Sequence, residues 1–247
     1  MQAVTAQINT QALRHNLAVV RSHAPGAKVV AVVKANAYGH DLLTVARTLH
    51  DVDAYAVARI EEALTLRSGG IVKPVIMLEG FFSAEDLPVL AANNLQTAVH
   101  SWEQLEALER AELPQPIRAW MKLDTGMHRL GVRPEEVTEF YARLSACKNV
   151  VQPFNLMTHF SCADELDKPT TRQQIEVFER IAANHPGECA MANSAAVLAW
   201  KEAHADWIRP GIMLYGISPF PDKVGSDHGL QPVMTLKSNL IAVREAK

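Results

Sequence analysis

The chain has 247 residues, enough for one large α/β barrel or two small domains. Its 48% hydrophobic and 21% charged content is ordinary for a soluble globular protein, and a net charge of -3 gives no broad reason to expect nucleic acid or an acidic membrane as partner. Three cysteines, Cys147, Cys162 and Cys189, lack C-x-x-C spacing, which argues against a disulfide framework or a zinc site and fits a reducing compartment.

The N-terminal stretch MQAVTAQINTQALRHN has no basic region followed by an apolar one, so no signal peptide is expected, and no apolar run is long enough to span a bilayer. A cytoplasmic protein is the expectation.

Strand-like and helix-like segments alternate along the chain. A helix over 10–23 precedes the first strand, at 28–34. Helical spacing of Leu42, Val45, Ala46 and Leu49 then marks 41–50. Strands follow at 54–58, 74–78, 96–100, 117–124, 155–160, 188–193 and 207–209. Between them lie helices over 59–67, from Ser83, 101–110, 134–145, 170–183 and a short one from Ser194. Ser83 and Ser101 read as N-caps and Pro134 as a first-turn proline. Eight short apolar strands, each followed by a helix, predict a (β/α)8 barrel.

From Ser218 the composition shifts. SPFPDKVGSDHG is rich in Pro, Gly, Ser and Asp and reads as a linker. LQPVMTLKSNLIAVREAK then resumes a strand-rich pattern. The division expected is a barrel over 1–218, a linker over 219–230 and the start of a β-rich domain over 231–247, so the sequence reads as a fragment of something longer.

Barrel active sites lie at the C-terminal ends of the strands. Those ends carry Lys34, Arg59, Glu79, His100, Asp124, His159, Asn193, Ser194 and Arg209. Strand ends meet solvent and are often polar for that reason alone. Lys34 stands out because five consecutive apolar residues precede it. A poorly solvated amine loses its proton more easily and becomes a nucleophile able to form a Schiff base. The small residues after it leave room for a planar group. No G-x-G-x-x-G, Walker loop or H-E-x-x-H occurs, and HAD at 204–206 and HFSCADE at 159–165 lack the rest of a metal shell.

VVKANAYGH at 32–40 closely resembles the pyridoxal-phosphate lysine motif of the alanine racemase family. MKLDTGMHRLG at 121–131, HF at 159–160, NS at 193–194 and RPGIMLYG at 209–216 follow in the family's order, and the resemblance runs from residue 4 to the end. One departure is Asp41, where the family usually has a second glycine.

The resemblance implies a fold-type III enzyme that interconverts L- and D-alanine with pyridoxal 5'-phosphate, in D-alanine supply for peptidoglycan or in alanine catabolism. Lys34 is then the Schiff-base lysine and one catalytic base. Tyr38 reaches the cofactor phosphate, as do Asn193, Ser194, Gly211 and Ile212, where helix starts after the seventh and eighth strands favour an anion. Tyr215 lies nearby, with a core role open. Arg129 bonds the cofactor phenolic oxygen and the substrate carboxylate, a task suited to its planar fork. His159 stacks on the pyridine ring, although a satisfied core histidine remains an alternative. Arg209 faces the pyridine nitrogen and keeps it unprotonated, a weaker electron sink than a carboxylate partner would give. Lys122 matches a lysine that some members carry as a carbamate; an ordinary ion pair with Asp124 is the alternative.

The resemblance also implies a homodimer in which the second base is a tyrosine from a partner's second domain, which none of Tyr38, Tyr55, Tyr141 and Tyr215 matches. Weak activity or none is therefore expected of the chain by itself. Two other readings compete. One is a non-catalytic single-barrel pyridoxal-phosphate protein, against which the strands after the barrel stand. The other is a related decarboxylase or D-amino-acid aldolase, against which TGMHRLG and RPGIMLYG stand.

Overall fold

The computed structural model describes residues 4–245. Ten strands occur among them: β1 Val4–Ile8, β2 Lys28–Val32, β3 Ala54–Val57, β4 Val75–Met77, β5 Gln96–Val99, β6 Ala119–Lys122, β7 Asn155–Met157, β8 Cys189–Ala190, β9 Trp207–Ile208 and β10 Met234–Ser238. Strands β2 to β9 pair in chain order, all parallel, and β2 also pairs with β9, which closes an eight-stranded barrel. The alternation expected from the sequence is therefore a (β/α)8 barrel. No helix among the described residues is long and apolar enough to cross a membrane, and no cluster of three or more His, Cys, Asp or Glu could hold a metal ion.

A strand turns successive side chains to opposite faces, and that period organises the barrel. Val30, Val32, Ala54, Ala56, Ile76, Ala98, Trp120, Met157, Ala190 and Trp207 point inward and form one buried cluster. Their neighbours Val29, Ala31, Tyr55, Val57, Met77, Val99, Met121 and Leu156 point outward and join the larger cluster under the helices. The interior is thus a packed plug. Below it, Lys28 and Glu188 form an ion pair, the Trp207 indole donates to Glu188 at 2.7 Å, and the Trp120 indole donates to Gln96 at 2.8 Å.

The Thr10–His23 helix lies outside the barrel. Asn9 caps it, its side chain accepting from Gln11 and Ala12 N–H. Its buried Asn16 donates to the carbonyls of Leu214 and Gln231 and accepts from Gln231 N–H. That grip holds 230–233 against the barrel, where Leu230 and Val233 are buried. The stretch 218–229 also packs back, with Phe220 buried and Ser218 bonded to His228.

Strand β10 pairs antiparallel with β1, from Val4 opposite Ser238 to Ile8 opposite Met234. Only one strand forms after the barrel among the described residues. Residues 1–3 and 246–247, which the expected divisions 1–218 and 231–247 include, lie outside the described residues.

Candidate active site

Two residues beyond the plug, the inward positions become polar. Val32 is followed at that spacing by Lys34, Trp120 by Lys122, Met157 by His159 and Trp207 by Arg209. The period of two that buries the plug therefore also gathers these four side chains above it. They line a cavity of about 580 Å³ together with Tyr38, Glu79, Arg129, Asp164, Asn193, Ser194, Gly211 and Ile212.

Lys34 begins a turn of unusual hand. Ala35, Asn36, Ala37 and Tyr38 all have φ between 53° and 55°, and Gly39 follows at 84°. Each left-handed non-glycine residue costs roughly 1–2 kcal/mol, so the surroundings must hold the turn. Gly39 N–H donates to Ala35 and Asn36 carbonyls. His40 Nδ1 donates to the carbonyls of Ala37 and Tyr38 at 3.1 and 3.0 Å. Asn36 Oδ1 accepts from Leu42 N–H, and Glu62 ties Asn36 N–H to the N–H groups of Ala58 and Arg59. The result places both Lys34 and Tyr38 on the cavity wall. Lys34 is half-buried, more open than its apolar strand suggested, because it stands where the strand leaves the barrel.

Arg209 is fully buried. Its Nη2 donates to the carbonyls of Thr158 and Met191, while Nη1 has no acceptor. Burial lowers its pKa to about 10, so it stays charged near neutrality. A buried N–H without an acceptor costs free energy, and this one belongs to a residue of the cavity wall. A ligand atom carrying a lone pair fits it.

Lys122 Nζ donates to Leu78 carbonyl at 2.9 Å. Burial, then the charges of Arg209 and Arg129, lower its pKa to about 8. The expected alternative partner, Asp124, is engaged elsewhere: its carboxylate accepts from Gly126 and His128 N–H and from the His128 ring. His159 is pushed down to about 3 by burial and then by Arg209 and Arg129, so its imidazole is neutral. Arg129 lies exposed at the cavity and forms no ion pair among the described residues.

After the neighbouring strand β8, Asn193 caps the short Ser194–Ala199 helix by accepting from Ala196 N–H. Ser194 Oγ accepts from Gly211 and Met213 N–H at 2.9 and 3.4 Å, which leaves its own proton free to donate. A second helical turn, Ile212–Tyr215, also starts at the cavity wall. The first N–H groups of both turns lack intrahelical acceptors. Gly211 is needed for contact here: a Cβ on it would lie 2.5 Å from the Tyr38 hydroxyl.

Tyr215 does not reach the wall. It is buried behind Tyr38, ring centroids 4.7 Å apart, and its hydroxyl donates to Val32 carbonyl. Of the other strand-end residues, Glu79 faces the cavity, and His100 instead turns to Glu79 carbonyl at 2.9 Å. Arg59 stacks on exposed Phe82. Asp164 and Leu130 also line the cavity; they sit in loops inside the stretches HFSCADE and MKLDTGMHRLG, where nothing in the sequence marks these two residues out from their neighbours.

Four cations and two carboxylates line the cavity, which favours an anionic ligand. Residues 8–219 match the family model described as alanine racemase, N-terminal domain. An alanine racemase of Aeromonas hydrophila is 70% identical over 247 residues, covering all of this chain and 69% of that protein. The biosynthetic alanine racemase of Escherichia coli is 58% identical over 248 residues, with the same coverage. The solved structure of the biosynthetic alanine racemase from Pseudomonas aeruginosa superposes with a TM-score of 0.91 at 42% identity, covering 96% of this chain and 66% of that one. The chain belongs to the alanine racemase family.

Proposed function

We propose that these residues form the pyridoxal-phosphate-binding half of an alanine racemase active site. The observation that carries the reading is the buried Arg209 Nη1, which needs an acceptor at the floor of a cation-lined cavity. An unprotonated pyridine nitrogen is such an acceptor. Tyr38, the Ser194 hydroxyl and the N–H groups at Gly211 and Ile212 form a polar group fitted to a phosphate. Bound there, pyridoxal phosphate supplies the electron-withdrawing ring that makes the α-hydrogen of an amino acid acidic.

The chain's own residues then divide the work. The Lys34 amine would hold the cofactor and stands where, as a free amine, it would take or return the α-proton on one face of the substrate. Arg129 holds the alanine carboxylate. Neutral His159 offers its flat ring without adding charge. Arg209 donates through Nη1 and so keeps the pyridine nitrogen from binding a proton. Lys122, with its lowered pKa, has enough neutral amine to react with carbon dioxide, and the carbamate sets a negative charge beside Arg129.

Racemisation also needs a group on the opposite face. Three of the four tyrosines are committed elsewhere: Tyr55 bonds Ala46 and Leu49 carbonyls, Tyr141 bonds His185, and Tyr215 bonds Val32. This supports a second acid–base group from outside these residues, contributed in a homodimer. General acid–base assistance is worth roughly 10²–10⁴-fold. Residues 1–247 are therefore expected to bind the cofactor yet racemise alanine at least about 10²-fold more slowly than the Aeromonas hydrophila relative. Borohydride reduction and peptide mapping test the cofactor site. A pyridoxyl group on Lys34 is expected; labelling of another lysine, or none in cofactor-saturated protein, refutes the assignment.

A further inference from the structure

Beneath the cavity wall lies a buried amide, Gln174, 1% exposed on the Thr170–Ala182 helix. It does not line the cavity, yet all of its polar capacity is spent on the loops that do. Its Nε2 donates to His159 carbonyl and to Thr125 Oγ1, both at 3.1 Å. Its Oε1 accepts from Ser161 N–H at 3.0 Å and from Ser161 Oγ at 3.2 Å. The amide thus brackets His159, taking the carbonyl of that residue and the N–H two residues on.

The second Nε2 bond starts a chain with one direction. Thr125 Oγ1 accepts from Gln174 and, because the Thr158 hydroxyl spends its own proton on a carbonyl, donates to Thr158 Oγ1 at 2.8 Å. The Thr158 proton then goes to Leu123 carbonyl at 3.0 Å. Thr158 is also the residue whose main-chain carbonyl holds Arg209. Thr125 opens the loop that leads to Arg129. One helix amide is therefore joined to the segments carrying His159, Arg209 and Arg129. A flipped amide would face a carbonyl with an oxygen and an N–H with a nitrogen, so a single orientation satisfies every partner. Fully satisfied buried networks fix one arrangement of the groups they join.

We infer that Gln174 is a positioning residue of the racemase site, setting the His159 ring and the Arg209 guanidinium through this chain of hydrogen bonds. The inference rests on the pyridoxal-phosphate reading above. Its function is orientation of the cofactor ring, so its loss should be read in the bound cofactor rather than in fold stability alone.

The test titrates pyridoxal phosphate into the chain and into Gln174→Met, which keeps volume and removes all four bonds. The dissociation constant is expected to rise about tenfold, the loss of one to two buried hydrogen bonds. The visible circular dichroism per bound cofactor is expected to change, because it reports ring tilt. Gln174→Glu keeps the acceptor for Ser161, loses both donors and should do no better. A Gln174→Met protein that binds within twofold of the parent with unchanged visible dichroism overturns the inference. Should Gln174→Met not fold, Thr125→Val cuts the chain one link on. A weaker, altered cofactor signal supports the inference, and a parent-like one overturns it. A parent chain that binds no pyridoxal phosphate overturns the functional reading itself, and this inference with it.

Discussion

Arg209, at the end of β9, reaches past β8 to the main-chain carbonyl of Thr158 after β7 with one arm of its guanidinium and leaves the other arm, equally buried, with nothing to donate to. A fork held on one side and empty on the other points at a ligand acceptor. Arg209→Glu replaces that donor with an acceptor. The pyridine nitrogen should then bind a proton, a long-wavelength absorbance band should appear when alanine is added, and any racemisation should slow. Stopped-flow absorbance checks this; an unchanged spectrum and rate would count against the pyridine-facing role.

Ala35 sits exposed in the left-handed turn at a φ of 54°. Ala35→Gly removes a steric cost of roughly 1–2 kcal/mol there and adds an unfolded-state entropy cost of roughly 0.4–1 kcal/mol. The variant is expected to be more stable than the parent, by about 0–1.6 kcal/mol. Urea unfolding decides it, and a clear loss of stability contradicts the strain argument.

Gly211 has φ of -117°, outside the left-handed region that favours glycine. An alanine Cβ there would instead displace the Tyr38 hydroxyl. Gly211→Ala should lose affinity for pyridoxal phosphate by about tenfold, the worth of one hydrogen bond to a charged group. Affinity for pyridoxal, which has no phosphate, should be unchanged. Equal losses for both ligands would rule out Tyr38 as a phosphate partner.

Lys122 has its pKa lowered from 10.5 to about 8, first by burial. The unfolded chain therefore binds more protons than the folded one between about pH 8 and 10.5, and stability rises with pH across that window. Below it the charged amine costs the fold. In buffer freed of carbon dioxide, where the amine stays unmodified, Lys122→Met should be more stable than the parent at pH 7, by about 1–3 kcal/mol, with the advantage shrinking as pH rises through the window. Denaturant midpoints at pH 7 and 10.5 give the comparison. A variant less stable at pH 7 would show that the bond to Leu78 outweighs burial.

Much of the barrel was legible because each strand is buried on both faces and reads as an apolar run. Strand ends were less so. The sequence suggested 155–160 and 188–193, but β7 and β8 stop at Met157 and Ala190, where the chain peels away to place His159 and Asn193. Strand β1 was invisible: VTAQI is exposed along most of its length and its partner lies at the far end of the chain. The left-handed turn was also hidden. Only Asn36 favours that conformation by itself, and the bonds that impose it come from His40 and Glu62. Gln174 gave no sign at all, since a glutamine on a helix reads as a solvated face until tertiary structure buries it.

The plug of Trp120, Trp207 and their neighbours, closed beneath by Lys28 and Glu188, makes the cavity a blind well. Traffic can pass only through the upper mouth. A product formed there leaves by the path its substrate took in, so whatever screens arrivals at the rim screens departures equally. In a reversible reaction between mirror-image molecules, a gate built at that rim would have to admit both hands alike, and selectivity between them could arise only at the reacting carbon.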